Sequence, residues 1–357
     1  MRKIILILLL VGITVTAQDR ETLYKEALVS LSEMLTDTTK INFKKAVLLV
    51  ENAYLHGILD TLAFNDEIDR LTKFTETIYK NRSLLYKERD SLTVKKQAVL
   101  FSVLKDTIPY YNETGKYKHI PFTYDFEDIW GRKNWENMFV SKLLQTRKGN
   151  CHSLPYLYKI LAQELGANAY LALAPNHVYI KNQNKKDGWY NTELTSGQFP
   201  NDAWLMASGY IHLDAVVNKL YMEALSDIQS VAMCLIDLAE GYNRAFPAND
   251  GSFPLLACEM ALKAYPHYIN GRILRAETLK RILEQKIQQE GGEFNTKVRE
   301  NEEYKEAFLF MQNEYATIHH AGYRRMPEKM YLKWLSSLKA EEEKYINKEI
   351  TNRNKSN

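Results

Sequence analysis

Between residues 169 and 194 this chain abandons helical periodicity, and that local change limits what the whole can fold into. Ala169-Tyr170-Leu171-Ala172-Leu173 is a short apolar run ended by Pro175. Residues 177–181 and 188–194 alternate polar with apolar positions around a polar turn at 182–187. Short runs bounded by Pro and by polar residues read as strands of an antiparallel sheet. Just before them Leu154, Leu157, Tyr158, Leu161, Ala162 and Leu165 recur at three- and four-residue spacing, and Gly166 closes the pattern as a helix C-cap. A helix feeding an antiparallel sheet, within a chain that is helical elsewhere, predicts an α+β fold.

The flanking regions are helical. Phe43, Ala46, Val47, Val50, Ala53 and Tyr54 recur at helical spacing, as do Ile68, Leu71, Phe74 and Ile78, so 18–104 reads as a small antiparallel bundle. Residues 105–134 hold Pro109, Gly115, Pro121 and many aromatics. They read as irregular structure, either a packed loop or a cover over a site. Residues 226–350 return to helix, and the charged stretch after Glu341 is expected to fray, with 351–357 as a disordered tail. The core of interest is bounded at 105–225.

The start of the chain reads as a secretory signal peptide. Met1-Arg2-Lys3 precedes an apolar run over 4–13, and Val15-Thr16-Ala17 supplies small residues before a cut after Ala17. The run is short for a membrane span, although an uncleaved anchor is the alternative. Export to the periplasm or beyond the cell follows, without stable membrane insertion after cleavage. Loss of Arg2 and Lys3 leaves 45 basic residues against 44 acidic ones. A nearly neutral chain without a basic stripe and interleaved aromatics does not suit nucleic acid. Lys185-Lys186 and Arg324-Arg325 read as solvated surface charge.

Three Cys remain after export, an odd count that cannot pair fully within one chain. Cys234 and Cys258 lie in apolar helical settings, as buried free thiols or as one disulfide. Cys151 is left over, in a Gly-Asn turn before a helix. Neither Cys151-His152 nor His319-His320 has zinc-ligand spacing, and the reading calls for no metal and no cofactor.

Cys151 at a helix start is set to be a thiolate, because the free N–H groups and the helix dipole favour negative charge there. Alternation places His177, Tyr179 and Lys181 on one sheet face and Trp189, Asn191 and Glu193 on the partner strand. A symmetric hairpin pairs residue 181 with 189 and 177 with 193, making Glu193 the cross-strand neighbour that orients His177. Asn191 is the other possible orienter. His152 competes as a base, but adjacent helical residues point about 100° apart.

Residues 147–197 resemble the transglutaminase-like cysteine superfamily. The similarity rests on Arg147, Gly149 and Cys151 in an Arg-x-Gly-x-Cys turn, then Leu165-Gly166, His177-Val178, Trp189 and Thr195. The family's acid is usually Asp, and Glu193 stands at that position. The resemblance implies a papain-like core of one helix against a small sheet. A weaker resemblance to tetratricopeptide helix pairs covers Asp237–Tyr242, Ala257, Ala261-Leu262, Pro266 and Ile273–Leu279.

In the chemistry this suggests, Cys151 attacks the carbonyl of a Gln side chain or peptide amide. His177 moves protons, Glu193 holds the imidazole, and the Cys151 N–H with Asn134 or Trp135 stabilises the oxyanion. Water as acceptor makes a hydrolase, either protease or deamidase; an amine makes a cross-linking enzyme. The partner is a peptide or protein substrate. The contrasting expectation is a non-catalytic scaffold whose helical repeats hold a peptide.

Overall fold

The structure, a computed structural model, describes residues 17–340 except residue 113. The signal segment expected to end at Ala17, and the tail expected over 351–357, lie outside the described residues apart from Ala17 itself. The chain is mostly helical with small sheets, an α+β architecture.

Four helices come first: α1 (Ala17–Thr36), α2 (Phe43–Tyr54), α3 (Thr61–Asn81) and α4 (Ser91–Lys105). Side-chain caps fix two of the starts. Asn42 accepts from Lys45 N at 2.8 Å, and Asp60 accepts from Ala63 N at 2.9 Å. The region read as irregular contains a hairpin, β1 (Ile108–Asn112) with β2 (Gly115–His119). Its Pro109 sits in a two-stranded ribbon, where a missing N–H is tolerated. The next strand, β3 (Thr123–Tyr124), pairs in parallel with β4 (Lys148–Gly149).

Between those two strands lies α5 (Val140–Thr146). No residue of its own caps it. The buried Glu51 carboxylate on α2 accepts from Val140 N at 2.6 Å and from Ser141 N at 2.9 Å. Burial raises the Glu51 pKa to about 7 against those donors. A helix start is thus held by an acid nearly ninety residues away.

Helix α6 (Ser153–Glu164) leads into the sheet β5 (Tyr170–Ala174), β6 (His177–Asn184) and β7 (Gly188–Thr192), antiparallel in that order. Here the structure corrects the expected register. Lys181 stands opposite Asn191, and Ile180 opposite Thr192, a shift of two residues from the symmetric hairpin. Strand β6 continues through residues read as turn, because the Asn182 amide finds partners inside the core. Asn182 is buried, and its amide donates to Thr192 Oγ1 at 3.0 Å. The turn shrinks to 185–187, where Asn184 Oδ1 accepts from Asp187 N at 2.7 Å and Gly188 follows at φ +74. An even shift leaves every side chain on its face.

The free edge of β5 is covered. Met222 N and Leu225 N each donate to it, to Leu173 O and Leu171 O, both at 2.9 Å. This segment follows the short helices α7 (Asp202–Ser208) and α8 (Leu213–Val217) and delivers the chain to α9 (Asp227–Ala245). Helix α9 opens with a reciprocal Ser226–Gln229 capping box and is buried nearly all round from Ser230 to Ala239. Helices α10 (Ser252–Ala264), α11 (Ile269–Glu290), α12 (Phe294–Glu300) and α13 (Glu302–His320) follow, and a last helix, α14, occupies residues 328–340. One continuous apolar core runs from Tyr24 to Leu338, so α14 packs into the same interior as α1. Among the described residues no helix is long and apolar enough to cross a membrane.

Gly271 on α11 marks a close helix crossing. A Cβ there would meet Ile236 Cδ1 at 3.3 Å and Leu262 Cδ2 at 3.4 Å, so α11 crosses α9 and α10 closely. Gly271→Leu should therefore lower stability by about 1–3 kcal/mol through overpacking, read as a reduced denaturant midpoint with an unchanged slope.

Candidate active site

The turn from α5 into α6 is locally determined. Arg147 ends α5 in the left-handed region at φ +56, and its guanidinium donates to Ile120 O at 2.8 Å. Gly149 must lack a side chain: a Cβ would run into Ser153 Oγ and come within 2.9 Å of Leu143 Cδ1. Asn150 and Ser153 then bond reciprocally. Asn150 Oδ1 accepts from His152 N at 2.9 Å, and Ser153 Oγ accepts from Asn150 N at 3.0 Å. Cys151 is pinned between them, just ahead of α6.

The β5–β6 turn presents the second group. Pro175 and a left-handed Asn176 (φ +57) make a tight reversal, after which His177 starts β6. Cys151 Sγ lies 3.7 Å from Asn176 O. His177 Nε2 and Glu193 Oε2 are 2.6 Å apart, so the ring donates to the carboxylate, whose other oxygen accepts from Thr195 N at 2.7 Å. Ring and thiol interact strongly enough for each to move the other's proton affinity, although the buried Nδ1 has no partner in full hydrogen-bond geometry.

The electrostatics follow from that contact. Burial alone pushes the Cys151 thiol up, but the neighbouring His177 ring and its charge outweigh it and hold the pKa below the ordinary thiol value. Burial pushes His177 down; the Glu193 charge and hydrogen bond, with the neighbouring Cys151 sulfur, reverse this and raise it to about 10. Glu193, despite its burial, stays below the usual carboxylate range because His177 faces it. The other two thiols are free and buried, unpaired with each other. Burial lifts Cys258 to about 12 and Cys234 well above its ordinary value.

Asn191, the other orienter considered, is not at the ring. It stands opposite Lys181, and its amide donates to Pro200 O at 2.9 Å and to Asp202 Oδ1 at 2.7 Å. His152 is committed elsewhere: Nδ1 bonds Met138 O at 2.9 Å and Nε2 bonds Asp237 Oδ2 at 3.1 Å. Tyr156 donates to the same Asp237 oxygen at 2.8 Å, tying α6 to α9. Of the two upstream donors considered, Asn134 accepts from Glu136 N at 3.0 Å to cap a 3-10 turn, whereas Trp135 borders the cavity in front of the thiol.

Helix α14 supplies residues that sequence reading missed. Tyr331 OH lies 3.7 Å from Cys151 Sγ, and its ring packs on Trp130 with centroids 4.6 Å apart. Trp334 meets the His177 ring edge-on at 4.7 Å. Cys151, His177 and Glu193 are accordingly 8%, 3% and 1% exposed. Approach to the sulfur is left to a cavity of about 310 Å³ walled by Cys151, His177, Trp130, Trp135, Asp237 and Glu240. Asn176, Tyr221, Glu240 and Asn270 also wall an adjoining cavity of about 600 Å³. The signal in the sequence was only Tyr331 and Trp334 at helical spacing, about 180 residues from the Cys in the case of Tyr331.

No known protein-family model matches this chain, and no curated protein matches it. Among solved structures it is similar to menin, from a study titled for the binding site of the Mixed Lineage Leukemia protein, at 12% identity and a TM-score of 0.33. The match covers 72% of this chain, which spans 66% of the menin chain.

The His152–Asp237 link has a pH signature. Burial alone lowers the His152 pKa, but the Asp237 charge and hydrogen bond, with the Met138 carbonyl, raise it to about 9 from the ordinary 6.5. A raised folded-state pKa stabilises fully below the unfolded value and is lost as pH climbs through the folded one. The stability difference between the native protein and His152→Gln should therefore be largest below pH 6.5, by about 3 kcal/mol, and narrow as pH rises through 9. Urea unfolding across that range measures it; a gap independent of pH would show that His152 is not charged in the fold.

Proposed function

We propose that this protein is a thiol-dependent acyl-transfer enzyme or hydrolase acting on peptide or protein amides, with a core of the transglutaminase-like kind. The observation that carries the reading is the buried His177–Glu193 pair at 2.6 Å, whose imidazole faces a thiol pinned at the start of α6. The groups are those the chemistry requires, in the order it requires them. Glu193 fixes the tautomer by accepting the Nε2 proton, which leaves Nδ1 to serve the sulfur.

The steps follow from the geometry. With the thiol pKa lowered and the ring pKa raised, the proton rests on His177 and the sulfur is a thiolate. The thiolate adds to an amide carbonyl carbon, and the oxyanion forms beside the start of α6. His152 N and Ser153 N are already bonded to Asn150 Oδ1, which leaves the Cys151 N–H as the nearest backbone donor in this turn. Collapse of the adduct breaks the C–N bond as His177 gives its proton to the leaving nitrogen. Water or an amine then attacks the thioester, returning a proton to the ring and the sulfur to its thiolate. Walls of Trp130, Trp135 and Tyr331 keep bulk water from the thioester. We also propose that the chain is exported with cleavage after Ala17, on the strength of its first seventeen residues.

Limiting iodoacetamide followed by peptide mass spectrometry tests the thiol assignment: Cys151 should label far ahead of Cys234 and Cys258. Glu193→Gln should raise the pH at which Cys151 labels by about 1 unit or more, because a neutral amide no longer stabilises the imidazolium. Asn191→Ala should leave that profile in place. A profile indifferent to Glu193 and to His177→Ala alike would make the site a structural one and favour a scaffold.

A further inference from the structure

One acid on the wall of the thiol's cavity is not used by the steps above. Glu240 lies on α9, three residues after Asp237 and four before Arg244, and it borders both the cavity of Cys151 and the larger one beside it. Every other charge in front of the sulfur is occupied. Asp237 accepts from His152 and Tyr156. Arg132 is paired with Glu328 at 3.2 Å. Arg244 is exposed and rests over the Trp135 ring, 3.8 Å from its centroid. Among the described residues, Glu240 has neither a hydrogen-bond donor nor an ion-pair partner; only the more distant charges of Asp237, Arg244 and His152 act on it.

A half-buried carboxylate without a partner carries a desolvation cost, and that cost falls when a cation joins it. Burial, followed by the charge of Asp237, pushes Glu240 up to about 7, with Arg244 and His152 opposing. The group is therefore poised so that an arriving positive charge both ionises it and is held by it. Its place at the junction of two cavities sets it between the space in front of the sulfur and the larger space beside it. Asn176 and Asn270, which share that junction, offer amides to the substrate backbone.

We propose that Glu240 forms a cation-reading subsite, so that the substrate of this thiol carries an ammonium or guanidinium group close to the carbonyl that Cys151 attacks. The inference rests on the reading of Cys151 as a reactive thiol, and it adds the charge class of the substrate. It also gives α9 a second role: through Asp237 the helix holds α6, and one turn later it presents the acid that selects what reaches Cys151.

Methanethiosulfonates of different charge separate the two questions. A thiolate displaces methanesulfinate from each reagent and forms a mixed disulfide, so the rate reports access and local field at the sulfur. Rates at Cys151 are measured with neutral methyl, cationic trimethylammonioethyl and anionic sulfonatoethyl methanethiosulfonate, each normalised to its rate with mercaptoethanol. In the native protein the cationic reagent should outpace the anionic one by about tenfold, the low end of what focused fields give. Glu240→Gln should bring that ratio close to one while leaving the neutral rate in place. Glu277→Gln, at the wall of the outer cavity and bonded to Tyr315, should leave the ratio as it was. A normal neutral rate with no charge preference, or a preference that survives Glu240→Gln, overturns the subsite alone. Failure of all three reagents to modify Cys151 overturns the thiol reading, and the subsite with it.

Discussion

The site depends on one buried ionic hydrogen bond. His177 and Glu193 both lie almost wholly out of water, at 3% and 1% exposure, and each would be neutral there without the other. Desolvation disfavours an imidazolium and a carboxylate alike, so the pair survives as ions only because the contact is 2.6 Å and Thr195 N satisfies the second carboxylate oxygen. Everything around it serves to keep that contact fixed. The Pro175-Asn176 reversal starts β6 at His177, the reciprocal bonds between Glu193 and Gln198 hold the backbone of the acid, and Trp334 closes the face of the ring. Removing either partner would leave the other buried without its hydrogen-bond partner, a larger loss than the pair's own contribution.

The second constraint is how remote segments converge on one turn. The Cys151 turn is ordered by short-range chemistry: a left-handed Arg147, a Gly149 with no space for a Cβ, and the Asn150–Ser153 exchange. Its surroundings are ordered at long range. Glu51 caps α5, Asp237 clamps α6 through His152 and Tyr156, and Tyr331 returns from near the end of the described chain to stand by the sulfur. These are polar anchors inside an apolar core, and each is satisfied by at least one hydrogen bond. They fix where the helices sit relative to the thiol, which apolar packing alone specifies less sharply.

What the sequence made legible follows the same division. The helix over 153–164, the strands after it and the neighbourhood of Cys151, His177 and Glu193 could be read, because periodicity and turn residues are local signals. The hairpin register could not. Asn182 and Asn184 look like turn residues, and only the interior reveals that Asn182 pairs with Thr192 inside the ladder. The hairpin at 108–119 was hidden by Pro and Gly, which usually mark loops but sit here in an isolated ribbon. The wall of Tyr331, Trp334 and Glu240 was invisible for a different reason. An aromatic or acid on a helix carries no sign of what it will face once distant segments pack together.

The register shift bears on why the acid that meets His177 is a Glu. With residue 181 opposite 191, the ladder ends at Ile180 opposite Thr192, and its line would set Tyr179, rather than His177, across from Glu193. On that register His177 and Glu193 lie on a diagonal, where backbones are about 7–8 Å apart instead of about 5 Å for a direct pair. The extra methylene of Glu covers much of that difference and still brings Oε2 to 2.6 Å from the ring. Backbone position and side-chain length therefore compensate. The bridge from Glu193 to Gln198 bends the chain just past β7 and keeps the longer acid from swinging away. The acid's identity reads as a consequence of register, and a shorter acid in the same ladder would leave the imidazole without its partner.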